Sequence, residues 1–179
     1  MFSFIKDRKS RKKRAAYLYE AAVVQSRQPT FYADMNVPDT VDGRFEMLAL
    51  HCGILVYRLR KHGKTKQSQA LFDKMFKVMD PMLREMGVGD LSVPKHMKRM
   101  MQGFNGRIIK YMHAIENEDK KALSDALIRN VYGTLKEKEI PQDSLNALAD
   151  YLMASAQMET EEPEFSPLND YKGTRHAAS

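Results

Sequence analysis

The chain has 179 residues, of which 43% are hydrophobic and 29% charged, and its formal net charge is +6. This length is enough for one domain with a hydrophobic core. The longest apolar run, over residues 47–57, is shorter than the ~20 residues that a membrane span needs. The single cysteine excludes an intrachain disulfide and a cysteine-rich zinc site, and with no secretory signal pattern we expect a reducing, cytoplasmic compartment.

The net charge lies in a basic arm, residues 1–14, which has seven basic side chains and one acidic side chain; of the 29 basic and 23 acidic residues in the chain, 22 of each lie beyond it and cancel. Such an arm attracts phosphate groups on anionic lipid or on RNA. The apolar residues before the cations favour a membrane surface, because insertion and electrostatic attraction add. A solvated, disordered terminus is the third interpretation. The residues predicted to bind a membrane or a ribosome are Phe2, Phe4, Arg8, Lys9, Arg11, Lys12, Lys13 and Arg14.

Helical periodicity dominates the rest of the chain, and no strand alternation is evident. Helices are predicted over residues 10–27, 41–62, 65–86, 93–117, 119–135 and 141–158. The second is apolar around most of its circumference, which indicates a buried central helix. We therefore expect an all-α fold, in which one bundle of about six helices covers residues 15–158 and a disordered acidic tail covers 159–179.

The connection before the second helix, over residues 29–43, is predicted to be an ordered loop. Asp39 or Thr40 is placed to accept amide hydrogens at the helix start, and Arg44 to form charge-assisted hydrogen bonds with Asp34 or Asp39. The segment is either a well-capped connection or a rigid recognition loop. Its residues predicted to bind a client or partner are Phe31, Tyr32, Val37, Pro38, Asp39, Arg44 and Phe45.

Thirteen methionines, several of them in stripes on the third and fourth helices, are unusual for a chain of this length. They either fill gaps in the core or line a groove for an apolar helix where the two helices diverge. Gly103 and Gly106 lie on the opposite, basic half of the fourth helix and would permit close approach of another backbone. The residues predicted to bind a client or partner on these two helices are Met75, Met79, Met97, Met101, Phe104 and Arg107.

The sequence lacks the common catalytic motifs of helical and phosphate-binding enzymes. No Glu-x-x-His pair suits a di-iron site, and no Gly-x-Ser-x-Gly, phosphate loop or His-Glu-x-x-His occurs. The five histidines are scattered along the chain. We therefore expect a protein that is not an enzyme, with no metal, no cofactor and no small-molecule substrate.

Residues 29–34, Pro-Thr-Phe-Tyr-Ala-Asp, and 37–46, Val-Pro-Asp-Thr-Val-Asp-Gly-Arg-Phe-Glu, resemble the ubiquinol–cytochrome c chaperone family. The likeness extends over about residues 17–158. One departure is Asn105, where the family usually has Tyr. Further segments that fit lie at 71–86, 89–95, 104–107 and 126–132.

The resemblance implies a helical, non-enzymatic chaperone that binds newly made cytochrome b and supports assembly of the ubiquinol–cytochrome c reductase. It further implies a small partner protein and, in mitochondrial members, a place near the ribosome exit. For this chain it implies work at the cytoplasmic face of a bacterial plasma membrane. The residues leave open a different class, an RNA- or ribosome-binding module formed by the arm and the basic face of the fourth helix.

Overall fold

A computed structural model describes residues 2–85 and 89–171, with side chains except at 2–5, 82, 83, 85 and 96. Its helices are α1 (Phe2–Ser26), α2 (Pro29–Ala33), α3 (Val41–Lys61), α4 (Thr65–Glu85), α5 (Val93–Glu116), α6 (Lys120–Asn130) and α7 (Gln142–Gln157). Short 3-10 turns lie at Glu137–Glu139 and Leu168–Asp170. Strands are absent from these described ranges, which confirms the all-α fold.

The centre of the bundle is α3, which packs against α1, α4, α5 and α7. Residues 49–56 are all buried, so this stretch of α3 has no face in water. Gly53 allows α5 to come close, since a Cβ at that position would lie 2.0 Å from Cδ1 of Ile108. The predicted buried central helix is confirmed.

Three predicted boundaries were wrong. α1 begins at Phe2 rather than residue 10, so the basic arm is part of the helix, as suits lysine and arginine, which are good helix formers. The expected loop contains α2, because Pro29 suits the first helical position and Phe31 is fully buried. α6 ends at Asn130 rather than 135, and just beyond it the buried Tyr132 donates a hydrogen bond to the Met35 carbonyl at 2.7 Å.

His51 is the buried polar group at the middle of α3. Its Nδ1 donates to the carbonyl of Met47 at 2.7 Å, which leaves Nε2 to accept a hydrogen bond from the Tyr151 hydroxyl at 2.8 Å. The rings of Phe31 and Phe165 meet it edge-on, with centroids 5.2 and 5.0 Å away. Burial lowers the pKa of His51 to about 4, so the imidazole is neutral near pH 7.

The segment after α7, residues 159–171, packs on the bundle and is called the strap below. Arg58 of α3, 1% exposed, donates to the carbonyls of Thr160 (2.9 and 2.7 Å), Glu162 (2.5 Å) and Glu164 (2.6 Å). The prediction of a disordered tail from residue 159 was therefore wrong for the strap, because its backbone carbonyls partner a buried cation. The rest of that predicted tail, 172–179, lies outside the described residues.

The depressed pKa of His51 makes folding stability depend on pH. Below about pH 6.5 the imidazole of His51 binds a proton in the unfolded chain, whereas in the folded chain it does so only near pH 4. The free energy of unfolding therefore falls as the pH falls through this window. Between pH 7 and pH 5 we expect a loss of about 2 kcal/mol in urea unfolding. His51→Gln should flatten that slope and the exposed His113→Gln should not; equal slopes in all three proteins would contradict the assignment.

Removing the guanidinium that holds the strap should destabilise the whole bundle. Arg58→Ala leaves three strap carbonyls without their charged donor and opens a cavity beside α3, so we expect a loss of roughly 3 kcal/mol in the free energy of unfolding. The strap should also become sensitive to limited proteolysis. The exposed Lys66→Ala, in the first turn of α4, serves as the matched control and should cost less than about 0.5 kcal/mol.

Candidate functional site

An open cleft of 570 Å³ lies between α4 and α5. α4 packs mainly on α1 and α3 and only lightly on α5, so the two helices leave this space between them. The cleft is lined by Asp73, Phe76, Lys77, Asp80 and Pro81 of α4 and by Met97 and Met101 of α5. Its position is the one that the two methionine stripes predicted for a groove.

Aromatic rings pack together beneath the cleft. Phe72, Phe76 and Phe104 are buried and meet one another with ring centroids 4.7, 5.6 and 5.7 Å apart. This cluster is a rigid apolar base, whereas Met97 and Met101 on the α5 side are only partly buried. A rigid base with flexible thioethers beside it suits apolar ligands of variable shape.

Beyond the cleft, α4 is connected to the turn before α5 by ion pairs. Arg84 pairs with Asp80 at 2.9 Å and also with Asp90. Leu91, in the same turn, is 99% exposed. An apolar side chain fully in water beside an apolar cleft extends the surface available to a partner.

The residues predicted to bind a client on the two methionine-rich helices do not all line the cleft. Met75, Met79 and Phe104 lie in the core, where they support the cleft from below. Arg107 is partly buried and pairs at 3.1 Å with Glu46 of α3, outside the cleft. Burial raises the pKa of Glu46, against the opposite effect of the Arg107 charge.

The segment before α3 is mainly a structural connection. Phe31 and Val37 are buried, while Tyr32 is partly buried and donates from its hydroxyl to the Ser26 carbonyl at 2.7 Å. Pro38 and Phe45 are also partly buried.

At the entry to α3, two of the expected contacts are present. The Thr40 hydroxyl accepts from the amide of the buried Gly43 at 3.1 Å, and Arg44 donates to Asp39 on the surface at 2.5 Å. That hydrogen bond from Arg44 holds the pKa of Asp39 below its usual range. The predicted cap and ion pair are confirmed, and the binding role of this segment stays a prediction.

Two glycines predicted to admit another backbone face open space instead. A Cβ at Gly106 would meet nothing within 4 Å, and one at Gly103 would come no closer than 3.8 Å to Arg107. No backbone of another element within the described ranges comes within 4 Å of a Cβ at either position.

In the basic arm, the cations at positions 8, 9, 12 and 13 are exposed and Arg11 is partly exposed. Arg14 donates to both carboxylate oxygens of Glu162, at 3.0 and 2.9 Å, and so joins α1 to the strap. The side chains of Phe2 and Phe4 lie outside the described residues.

Sequence reasoning missed Phe76, Lys77 and Asp80 as lining residues. They follow Asp73 at intervals of three, four and seven residues, so all four share one face of α4. The spacing was visible in the sequence, but it does not say which face of α4 looks toward α5.

Within the described part of the chain, no group of three or more His, Cys, Asp or Glu residues is placed to hold a metal ion. None of the helices in that part is long and apolar enough to cross a membrane. An all-helical body with an apolar cleft between two helices is an arrangement in which proteins commonly bind an amphipathic helix of another polypeptide.

Comparison with known proteins gives the particular family. The model of the family described as ubiquinol–cytochrome C chaperone matches residues 33–160, and the chain belongs to that family. The crystal structure of the Cbp3 homolog from Brucella abortus is similar, with 35% sequence identity and a TM-score of 0.73 over 87% of this chain and 86% of that one. No protein of curated function matches the chain. The protein is thus a chaperone of ubiquinol–cytochrome c reductase assembly, as its motifs predicted.

The family motif continues into the first turn of α3 and includes Gly43, where there is no room for a side chain. A Cβ there would lie 2.0 Å from the Pro38 carbonyl oxygen, a backbone atom that cannot rotate away. We expect Gly43→Ala to cost about 2 kcal/mol in urea unfolding. Gly106→Ala, which meets open space in a helix, should instead stabilise by up to ~1 kcal/mol. Equal effects at the two positions would refute this account of Gly43.

Proposed function

We propose that the chaperone binds newly made cytochrome b by taking an apolar segment of it into the α4–α5 cleft. The observation that carries the proposal is the open cleft with an aromatic base and Met97 and Met101 at its α5 side, in a chain of this family. Amphipathic helices are commonly bound in such grooves through a few apolar anchors. Covering apolar surface removes it from water, so the bound segment is protected from aggregation.

The charged side chains on the α4 side of the cleft balance one another. Asp73 and Asp80 line it together with Lys77, and Asp80 is also paired with Arg84 at 2.9 Å. A membrane helix of cytochrome b would thus be held in the cleft through its apolar anchors rather than through charge. Release needs no ATP, because the client's own folding and assembly compete for the same apolar surface.

We place this work at the inner face of the bacterial plasma membrane, where a membrane-protein client is inserted. A small partner protein would require a second surface, and the exposed Tyr17 and Val24 of α1 offer apolar contact area for it.

A second candidate function is RNA or ribosome binding through the arm and the basic face of α5. Lys95, Lys98 and Arg99 are exposed at the start of that helix, which supports it. Binding through such cations alone would weaken steeply as salt is raised.

Carboxylates introduced into the cleft by substitution should prevent binding of the client without unfolding the protein. Because Met97 and Met101 are only partly buried, we expect Met97→Glu combined with Met101→Glu to lower the free energy of unfolding by about 1 kcal/mol or less. Cells with this variant as their sole copy should have the cytochrome b absorbance of the gene deletion, and cytochrome b should no longer copurify.

The matched control is Ile109→Glu, which puts a carboxylate on α5 at an apolar residue that is 65% exposed and outside the cleft. It should leave cytochrome b at its normal level. Normal cytochrome b with the folded double variant would refute the cleft as the client site. Unfolding of the double variant would refute it too, since the two methionines would then be core.

A further inference from the structure

The first turns of α1 present cations on every side of the helix. Residues 6–10, 12 and 13 are exposed, so this part of α1 is not covered by the bundle. At 100° per residue the seven basic positions between 6 and 14 are spread around the whole circumference. The basic part of α1 therefore has no apolar face with which to lie flat in a membrane interface.

These cations are also largely unpaired. Within the part of the chain that the structure describes, Arg11 has one distant acidic neighbour, Asp7 at 4.0 Å. Five others have no acidic partner there: Lys6, Arg8, Lys9, Lys12 and Lys13. Over the ~12 Å that residues 6–13 span as a helix, six cations face one acidic side chain, Asp7, so this part of α1 carries a strong positive field.

The strap holds the base of the arm and so sets where the cations of α1 lie relative to the bundle. Arg14 donates to the Glu162 carboxylate at 3.0 and 2.9 Å and to the Glu161 carbonyl at 3.1 Å. Two further strap carboxylates are paired with α3 and the turn after it: Glu159 with Lys61, and Glu161 with Lys64 at 3.5 Å. The acidic strap therefore holds the base of the arm and leaves the cations beyond it uncompensated.

The sequence before the cations separates lipid from RNA as the partner. Phe2, Phe4 and Ile5 make the first turn of α1 apolar except for Ser3. Phosphate groups alone would satisfy the cations, but an apolar turn beside them gains free energy only where it leaves water, as at the acyl boundary of a bilayer.

We infer that residues 2–13 of α1 dock on a bilayer surface rich in anionic phospholipid, with the apolar first turn entering the interface and the surrounding cations contacting headgroup phosphates. This rests on the membrane location proposed above but not on the client cleft. Glu161, whose carbonyl accepts from Arg14 at the base of the arm, pairs through its carboxylate with Lys64 just before α4. Phe76 in the cleft lies twelve residues further along, or ~18 Å along the helix axis. Docking therefore leaves the cleft open to a client.

The test is cosedimentation of the full chain with phosphatidylcholine vesicles, with and without about a third phosphatidylglycerol. We expect binding to the anionic vesicles only. A variant with Lys9, Lys12 and Lys13 each changed to Gln should partition about 100-fold more weakly, because each cation near the surface contributes roughly fivefold. The matched control changes Lys95, Lys98 and Arg99 to Gln, which alters the net charge equally on the exposed start of α5, and should bind as the unmodified chain does.

A second variant, Phe2→Ser with Phe4→Ser, distinguishes lipid from RNA. It should weaken vesicle binding at least tenfold and leave binding to a single-stranded RNA unchanged. Equal binding of the two vesicle types, no loss in either arm variant, or an equal loss in the α5 control would overturn the inference. Cytochrome b copurification from detergent extracts reports on the cleft, so arm variants that retain it separate failure of this inference from failure of the proposed client.

Discussion

Burial of the middle of α3 is the constraint on which the rest of the molecule depends. A helix must find partners inside the protein for each polar side chain that it buries. His51 obtains them from the Met47 carbonyl and Tyr151, and Arg58 obtains them from strap carbonyls. The strap is consequently part of the core, because a guanidinium buried without those oxygens would cost several kcal/mol.

The bundle combines a rigid half with a pliable half. Around His51 the contacts are directional: hydrogen bonds and edge-on rings allow one arrangement. Around the cleft they are methionine and aromatic contacts, with Met97 and Met101 only partly buried. Flexible, polarizable side chains lose little when they repack. In the function proposed above, such a surface would let the cleft fit an unfinished membrane protein while the directional contacts around His51 keep the fold intact.

The long motif at residues 29–46, on which the family resemblance mainly rested, marks a requirement of folding. Phe31 and Val37 are buried, Thr40 caps α3, and Gly43 leaves room for a carbonyl. Each of these needs one residue type at one place, which is why the motif is recognisable. The cleft needs only apolar side chains on two facing surfaces, so Met97 and Met101 could be predicted as candidates. Phe76 could not, because its role depends on which face of α4 looks toward α5.

The sequence by itself determined six of the seven α-helices in the described part of the chain, the central position of α3, the charge of the arm and the family. These follow from periodicity, from caps and glycines, and from side-chain identities that act locally. Only the tertiary structure decided that residues 159–171 close the core and that α4 and α5 separate enough to leave a cleft. Arg58 is held by backbone carbonyls, and every residue has one, so no pattern of side chains could reveal which segment would supply them.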